Sequence, residues 1–98
     1  MEKNKPHCPL SRVKELVKEG KVRFTVTSLK DADLLGFRRV DIMNELLLLE
    51  SREFYKSMTT YRDSTTWQDV YRHYSRVGML YVKLTVIDDV LVLSFKEL

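Results

Sequence analysis

Apolar side chains recur every three to four positions in the first half of the chain and every second position in much of the second half. In Leu10–Gly20, the residues Leu10, Val13, Leu16 and Val17 fall on one helical face, and Gly20 is placed to end the helix, since glycine enters the left-handed region without steric cost. Lys21–Val26 alternates and predicts a short strand. Ser28, with Asp31 three residues on, reads as the cap of a second helix through Leu35, closed by Gly36. A third helix is predicted from Val40 to Glu50, carrying Ile42, Met43, Leu46, Leu47 and Leu49. Its run Leu46–Leu49 is apolar nearly all round, which predicts the most buried of the three helices.

After Ser51 the period changes. Glu53–Thr60, Trp67–Ser75, Met79–Ile87 and Val90–Lys96 read as strands, with a polar loop at Arg62–Thr66. The expected architecture is α+β, a mainly antiparallel sheet with the N-terminal helices packed on one face. Asp88-Asp89 separates two alternating runs and predicts a two-residue hairpin loop. That register pairs Ile87 with Val90, Leu84 with Leu93 and Val82 with Phe95, apolar on apolar. On the opposite face it sets Lys83 across from Ser94 and Tyr81 across from Lys96. A slip of one residue would mix the two faces. If Val77-Gly78 is the preceding turn, Tyr74 faces Tyr81 and Arg72 faces Lys83. One face then displays Arg72, Tyr74, Tyr81, Lys83 and Lys96. Interleaved cations and aromatic rings suit single-stranded nucleic acid, phosphates meeting cations and bases meeting rings. A solvated sheet face has the same composition, and the pattern alone leaves both readings open.

Composition changes this picture little. Ninety-eight residues, 44 % hydrophobic and 32 % charged, fit one globular domain spanning 1–98. There is no apolar run of membrane-spanning length and no leader-like N-terminus, so an intracellular, cytoplasmic protein without a membrane partner is expected. The lone cysteine, Cys8, cannot close an internal disulfide, and it has no evident activating base. Basic charge is concentrated in two blocks. Residues 1–24 carry seven basic and three acidic side chains, and residues 54–85 carry five and two. Both a polyanion partner and an ordinary solvated surface accommodate that distribution.

The sequence holds no Gly-rich phosphate loop, no metal-spaced Cys or His pair and no nucleophile elbow, so no cofactor is expected. His7 falls in an N-terminal segment expected to be mobile, and His73 reads as a structural strand residue, which leaves a paired-histidine ribonuclease poorly supported. Lys, Arg, Tyr and Gln remain, and they suffice to cleave RNA without a metal. The ribose 2′-oxygen attacks phosphorus, a base takes its proton, cations stabilise the phosphorane, and an acid protonates the leaving 5′-oxygen.

Phe54-Tyr-Lys-Ser-Met-Thr-Thr-Tyr61, Trp67-Gln-Asp-Val-Tyr-Arg72, Tyr81-Val-Lys-Leu-Thr-Val-Ile87, Asp89-Val-Leu91 and Ser94-Phe-Lys-Glu97 together resemble the MqsR family of bacterial toxins. Pro6-His7 and Ser11-x-Val-Lys-x-Leu-Val17 agree as well, so the resemblance runs over nearly the whole chain. It implies a RelE-like fold and a metal-independent mRNA endonuclease of a type II toxin–antitoxin pair. Single-stranded mRNA would be cut at GC-containing triplets, mainly GCU, and translation would stop. The implied partner is an MqsA-type antitoxin with a zinc-binding part and a helix-turn-helix part. The family's functional positions fall on Lys56, Gln68, Tyr81 and Lys96, with RNA contacts expected from Arg72, Tyr74 and Lys83. The chain departs from the family pattern in its middle helices, roughly 37–52, and at His73-Tyr74, where the pattern has a proline after Val-Tyr-Arg. Taken singly, Lys56 and Lys96 read equally as surface charges, Gln68 as a loop or capping group and Tyr81 as a packing residue. A non-catalytic RNA- or antitoxin-binding module is the alternative reading.

Overall fold

The computed structural model describes residues 1–61 and 63–97, and the side chains of these except Val90, Phe95, Lys96 and Glu97. The order of elements is β1 (Glu2–Lys3), α1 (Leu10–Lys18), β2 (Val22–Phe24), α2 (Val26–Leu34), α3 (Arg39–Leu47), a 3₁₀ turn (Ser51–Glu53), β3 (Phe54–Thr59), β4 (Trp67–Ser75), β5 (Gly78–Ile87) and β6 (Val90–Glu97). The six strands form one sheet in the order β1-β3-β4-β5-β6-β2. All neighbours are antiparallel except β2, which lies parallel to β6. The class is α+β, as the change of period predicted.

All three helices pack on one face. Val13, Leu16 and Val17 of α1, Ala32 of α2, and Ile42 and Leu46 of α3 meet Tyr71, Leu80, Val82, Leu84, Leu91 and Leu93 of the sheet. Strand alternation then sends Arg72, Tyr81 and Lys83 to the other face, which no helix covers.

The C-terminal hairpin has the predicted register, with Tyr81 opposite Lys96 and Lys83 opposite Ser94. Asp88 and Asp89 both take positive φ, 50° and 59°, as a two-residue loop of matching twist requires. The β4–β5 register differs from expectation. Arg76-Val77, not Val77-Gly78, forms the turn, so Tyr81 faces Arg72 and Tyr74 faces Met79. Ser75 explains the choice, since its hydroxyl accepts the Val77 N–H and donates to the Gly78 carbonyl. Each residue shifts by two against its partner, so every side chain keeps its face.

Three helix expectations need correction. Thr25, not Ser28, caps α2, its side-chain oxygen accepting the Ser28 N–H at 3.1 Å while Ser28 donates to the Thr25 carbonyl. The third helix ends at Leu47, about a turn early. It is also not the most buried: α1 has three buried side chains and α3 two, and Leu48 is 62 % exposed. Finally, the N-terminal segment is pinned to the sheet. Glu2 and Lys3 pair with β3, and the backbone N–H groups of His7 and Cys8 donate to the buried Asp69 carboxylate at 2.9 Å each. His7 stacks on Trp67, with ring centroids 5.6 Å apart. Of the expected loop at Arg62–Thr66, Arg62 lies outside the described residues. Asp63 ties the rest, accepting from Thr65 and Thr66.

Candidate active site

Cross-strand pairing arranges the open face in rows. One row runs Lys56, Val70, Lys83, Ser94, from β3 to β6. The next runs Arg72, Tyr81, Lys96. Successive rows are two residues apart along a strand, roughly 6.8 Å. Tyr81 and Lys96 are therefore direct neighbours in register, and Lys56 and Lys83 stand one row away. Val70, between the two lysines, is only 2 % exposed, so an apolar floor separates two cations. Met58 and Gln68 form a third row on the far side of Lys56. Gln68 thus lies two rows, roughly 14 Å, from the Tyr81–Lys96 pair, on the flank of the site rather than at its centre.

The first row meets a bulge. Phe54 pairs with Tyr71 and Lys56 with Val70, leaving Tyr55 as the extra residue of β3. A bulge breaks the alternation and puts two successive side chains on one face. Tyr55 accordingly joins Lys56 on the open side. The Arg72 guanidinium lies 3.8 Å from the centroid of the Tyr55 ring and 5.9 Å from that of Tyr81. The two phenol rings are 6.4 Å apart. Lys56 Nζ is 5.2 Å from the Tyr55 ring and 3.2 Å from Glu2 Oε1, a carboxylate delivered by β1. Tyr55, Lys56, Met58, Val70, Tyr81 and Lys83 line one shallow depression of about 350 Å³.

Sequence pattern missed Tyr55 and Glu2. Regular alternation aims Tyr55 at the core, and only the bulge reverses it. The available signal was its place within Phe-Tyr-Lys-Ser-Met, between an inward Phe54 and an inward Ser57. Glu2 required the pairing of β1 with β3, which two residues cannot announce.

The remaining candidates lie elsewhere. His73 is 3 % exposed on the helix-covered side, with Nδ1 at 3.0 Å from both Glu53 oxygens and Nε2 at 2.8 Å from Glu45 Oε1. With both ring nitrogens engaged it is structural, and the paired-histidine mechanism has no site. Burial, then the negative charge of Asp69, push the Cys8 thiol up, and Arg12 offsets this only in part. A thiol held protonated is a poor nucleophile, consistent with an inert Cys8. Burial, then Asp69 and Cys8, push the Tyr71 phenol up to about 12. Its hydroxyl and that of Ser57 are buried without a hydrogen-bond partner among the described residues. Among the described residues no three His, Cys, Asp or Glu side chains converge as a metal-holding group, and no helix is long and apolar enough to cross a membrane.

The open face thus offers cations, the exposed phenol of Tyr55, the half-buried phenol of Tyr81 and a shallow apolar floor, a surface suited to binding a phosphodiester and its bases. Comparison with known proteins points the same way. Residues 5–97 match the family model described as motility quorum-sensing regulator, toxin of MqsA. The chain is 53 % identical over 97 residues to the mRNA interferase toxin MqsR of Escherichia coli (strain K12), covering 99 % of each chain. A match of that extent, over nearly the whole chain, makes this chain a member of the MqsR toxin family.

Proposed function

We propose that this endoribonuclease, acting as one toxin domain over 1–98, cuts single-stranded mRNA by a metal-independent transesterification on the open face of its sheet. In the reading we adopt, the ribose 2′-oxygen attacks the adjacent phosphorus, the bond from phosphorus to the 5′-oxygen breaks, and the ends are a 2′,3′-cyclic phosphate and a 5′-hydroxyl. Lys56 and Lys96 stabilise the phosphorane charge, and one of them, as the neutral amine, takes the 2′-hydroxyl proton. Tyr81 gives its phenolic proton to the leaving 5′-oxygen. Arg72 and Lys83 hold flanking phosphates and Tyr74 stacks a base. Gln68, on the flank, orients a neighbouring ribose or phosphate by hydrogen bonds.

The observation that carries this reading is the register of Tyr81 against Lys96, with Arg72 on its other side and Lys56 lining the same depression. Family membership supports the rest: cutting at GC-containing triplets such as GCU, arrest of translation, a RelE-like fold and action in the cytoplasm. It also supports neutralisation by an MqsA-type antitoxin with a zinc-binding part and a helix-turn-helix part.

The test is purified protein on end-labelled RNA with excess chelator. Cutting should persist and leave 5′-hydroxyl ends. Activity lost to chelator and restored by a metal, or 5′-phosphate ends, would overturn the mechanism.

A further inference from the structure

Beside the candidate site runs a second, larger groove. Its volume is about 710 Å³, within the size range of small-ligand sites. It exists because α3 stops at Leu47. Leu48 is left on the surface, and the chain turns through Glu50 and Arg52 into the bulge at Tyr55. The opposite wall is Tyr74, 75 % exposed, next to its cross-strand partner Met79. Tyr55 lines both this groove and the depression that holds Lys56 and Tyr81. Tyr74 lies one row, roughly 6.8 Å, along β4 from Arg72. The two hollows are thus consecutive stations on one surface track.

We propose that this groove seats an unpaired nucleobase of the RNA, adjacent to the scissile phosphodiester, and reads its edge. This rests on the RNA-cleaving function proposed above. Tyr74 and Leu48 supply stacking and apolar surface, as single-stranded binding requires. Arg52 and Glu50, ion-paired at 2.5 Å and both largely exposed, put donors and acceptors at the rim. Those groups match the acceptor and donor atoms on base edges, whereas a phosphate would be repelled by Glu50. The backbone under this wall is fixed in advance, since Glu53 accepts the Tyr74 N–H at 2.8 Å while held by His73, so binding has only the exposed Tyr74 side chain to order.

The experiment is a length series of 2′-fluoro RNA, which lacks the attacking 2′-oxygen, extended one nucleotide at a time on either side of a minimal oligonucleotide. Wild-type protein should gain ~10-fold in affinity when the added nucleotide reaches the groove. Tyr74→Ala and Leu48→Glu, both at exposed positions, should abolish that step while their circular dichroism stays native. A step that persists in both variants overturns the proposal, as does a wild type with no step on either side. So does a groove whose variants weaken antitoxin binding and leave the RNA step intact. Wild-type cutting of the matching all-ribose RNA is followed in parallel. Protein that shows the step without cutting refutes the cleavage mechanism and leaves the groove assignment standing.

Discussion

His73 Nδ1 stands 3.0 Å from both carboxylate oxygens of Glu53, and this contact couples the buried side of β4 to the turn that precedes the bulge. Glu45 closes the other ring nitrogen, so the imidazole carries a carboxylate at each end and donates to both only when doubly protonated. Burial raises the Glu53 carboxyl, but the backbone N–H groups of Tyr74 and Glu50, and then His73, outweigh it and leave it below its ordinary value of 4.5. A depressed carboxyl contributes stability that is complete above its unfolded pKa and is lost as the pH falls through the folded value. Thermal unfolding of Glu53→Gln should show a lower Tm than wild type at neutral pH, with the gap closing in acid. A gap independent of pH below 5 would remove Glu53 from this role. Glu53→Ala, which strands the imidazole and the Tyr74 N–H, should cost about 3 kcal/mol.

Tyr81→Phe separates chemistry from binding, because the ring and its contact with Arg72 remain and only the phenolic proton goes. RNA cleavage should fall by ~10²-fold or more while affinity for 2′-fluoro RNA stays within a few-fold. Equal loss in both measurements, there and in Lys96→Ala, would assign both residues to RNA binding rather than to the chemical step.

The Arg72 guanidinium stacks at 3.8 Å from the Tyr55 centroid, and the proposed function gives it a second task, a charge for phosphate. Arg72→Ala should weaken RNA binding and lower the salt dependence of log Kd by about one phosphate's worth. Arg72→Lys should restore the salt slope without the full affinity, because an ammonium does not stack as a planar guanidinium does. Full rescue by lysine would show that the stacking is incidental.

Glu2 lies 3.2 Å from Lys56 Nζ, and under the proposed function it would compete with RNA phosphate for that ammonium. Glu2 is largely exposed and Lys56 partly so, which holds the strength of the pair to about 1 kcal/mol. Glu2→Gln should therefore tighten RNA binding by a few-fold at low salt, and the gain should fade as salt rises. Weaker binding in this variant would mean that Glu2 helps place Lys56.

Asp69 tests the anchoring of the N-terminal segment. Asp69→Ala leaves the N–H groups of His7 and Cys8 without their acceptor. Amide exchange at residues 7 and 8 should accelerate and stability should drop by about 2 kcal/mol. Unchanged protection there would show that the β1–β3 pairing and the His7–Trp67 stack hold the segment without Asp69.

The alternating runs on either side of Asp88-Asp89 determined the hairpin, its register and hence the Tyr81–Lys96 neighbourhood. Period-two patterning and a two-residue loop leave only one pairing that keeps apolar on apolar. The helical periods likewise determined α1 and the layer it covers. Other features depended on contacts between segments distant in sequence. Asp69 captures the backbone of His7 and Cys8 from sixty positions away, and β1 adds Glu2 to a face read only from later strands. The bulge turns Tyr55 outward against its own alternation, because Phe54 and Ser57 both find room inside. The β4–β5 turn slid to Arg76-Val77 because the Ser75 hydroxyl bridges it. Local pattern fixes which face a side chain takes; which side chains then share that face is set by strand order, bulges and long-range hydrogen bonds, whose partners no short window of sequence contains.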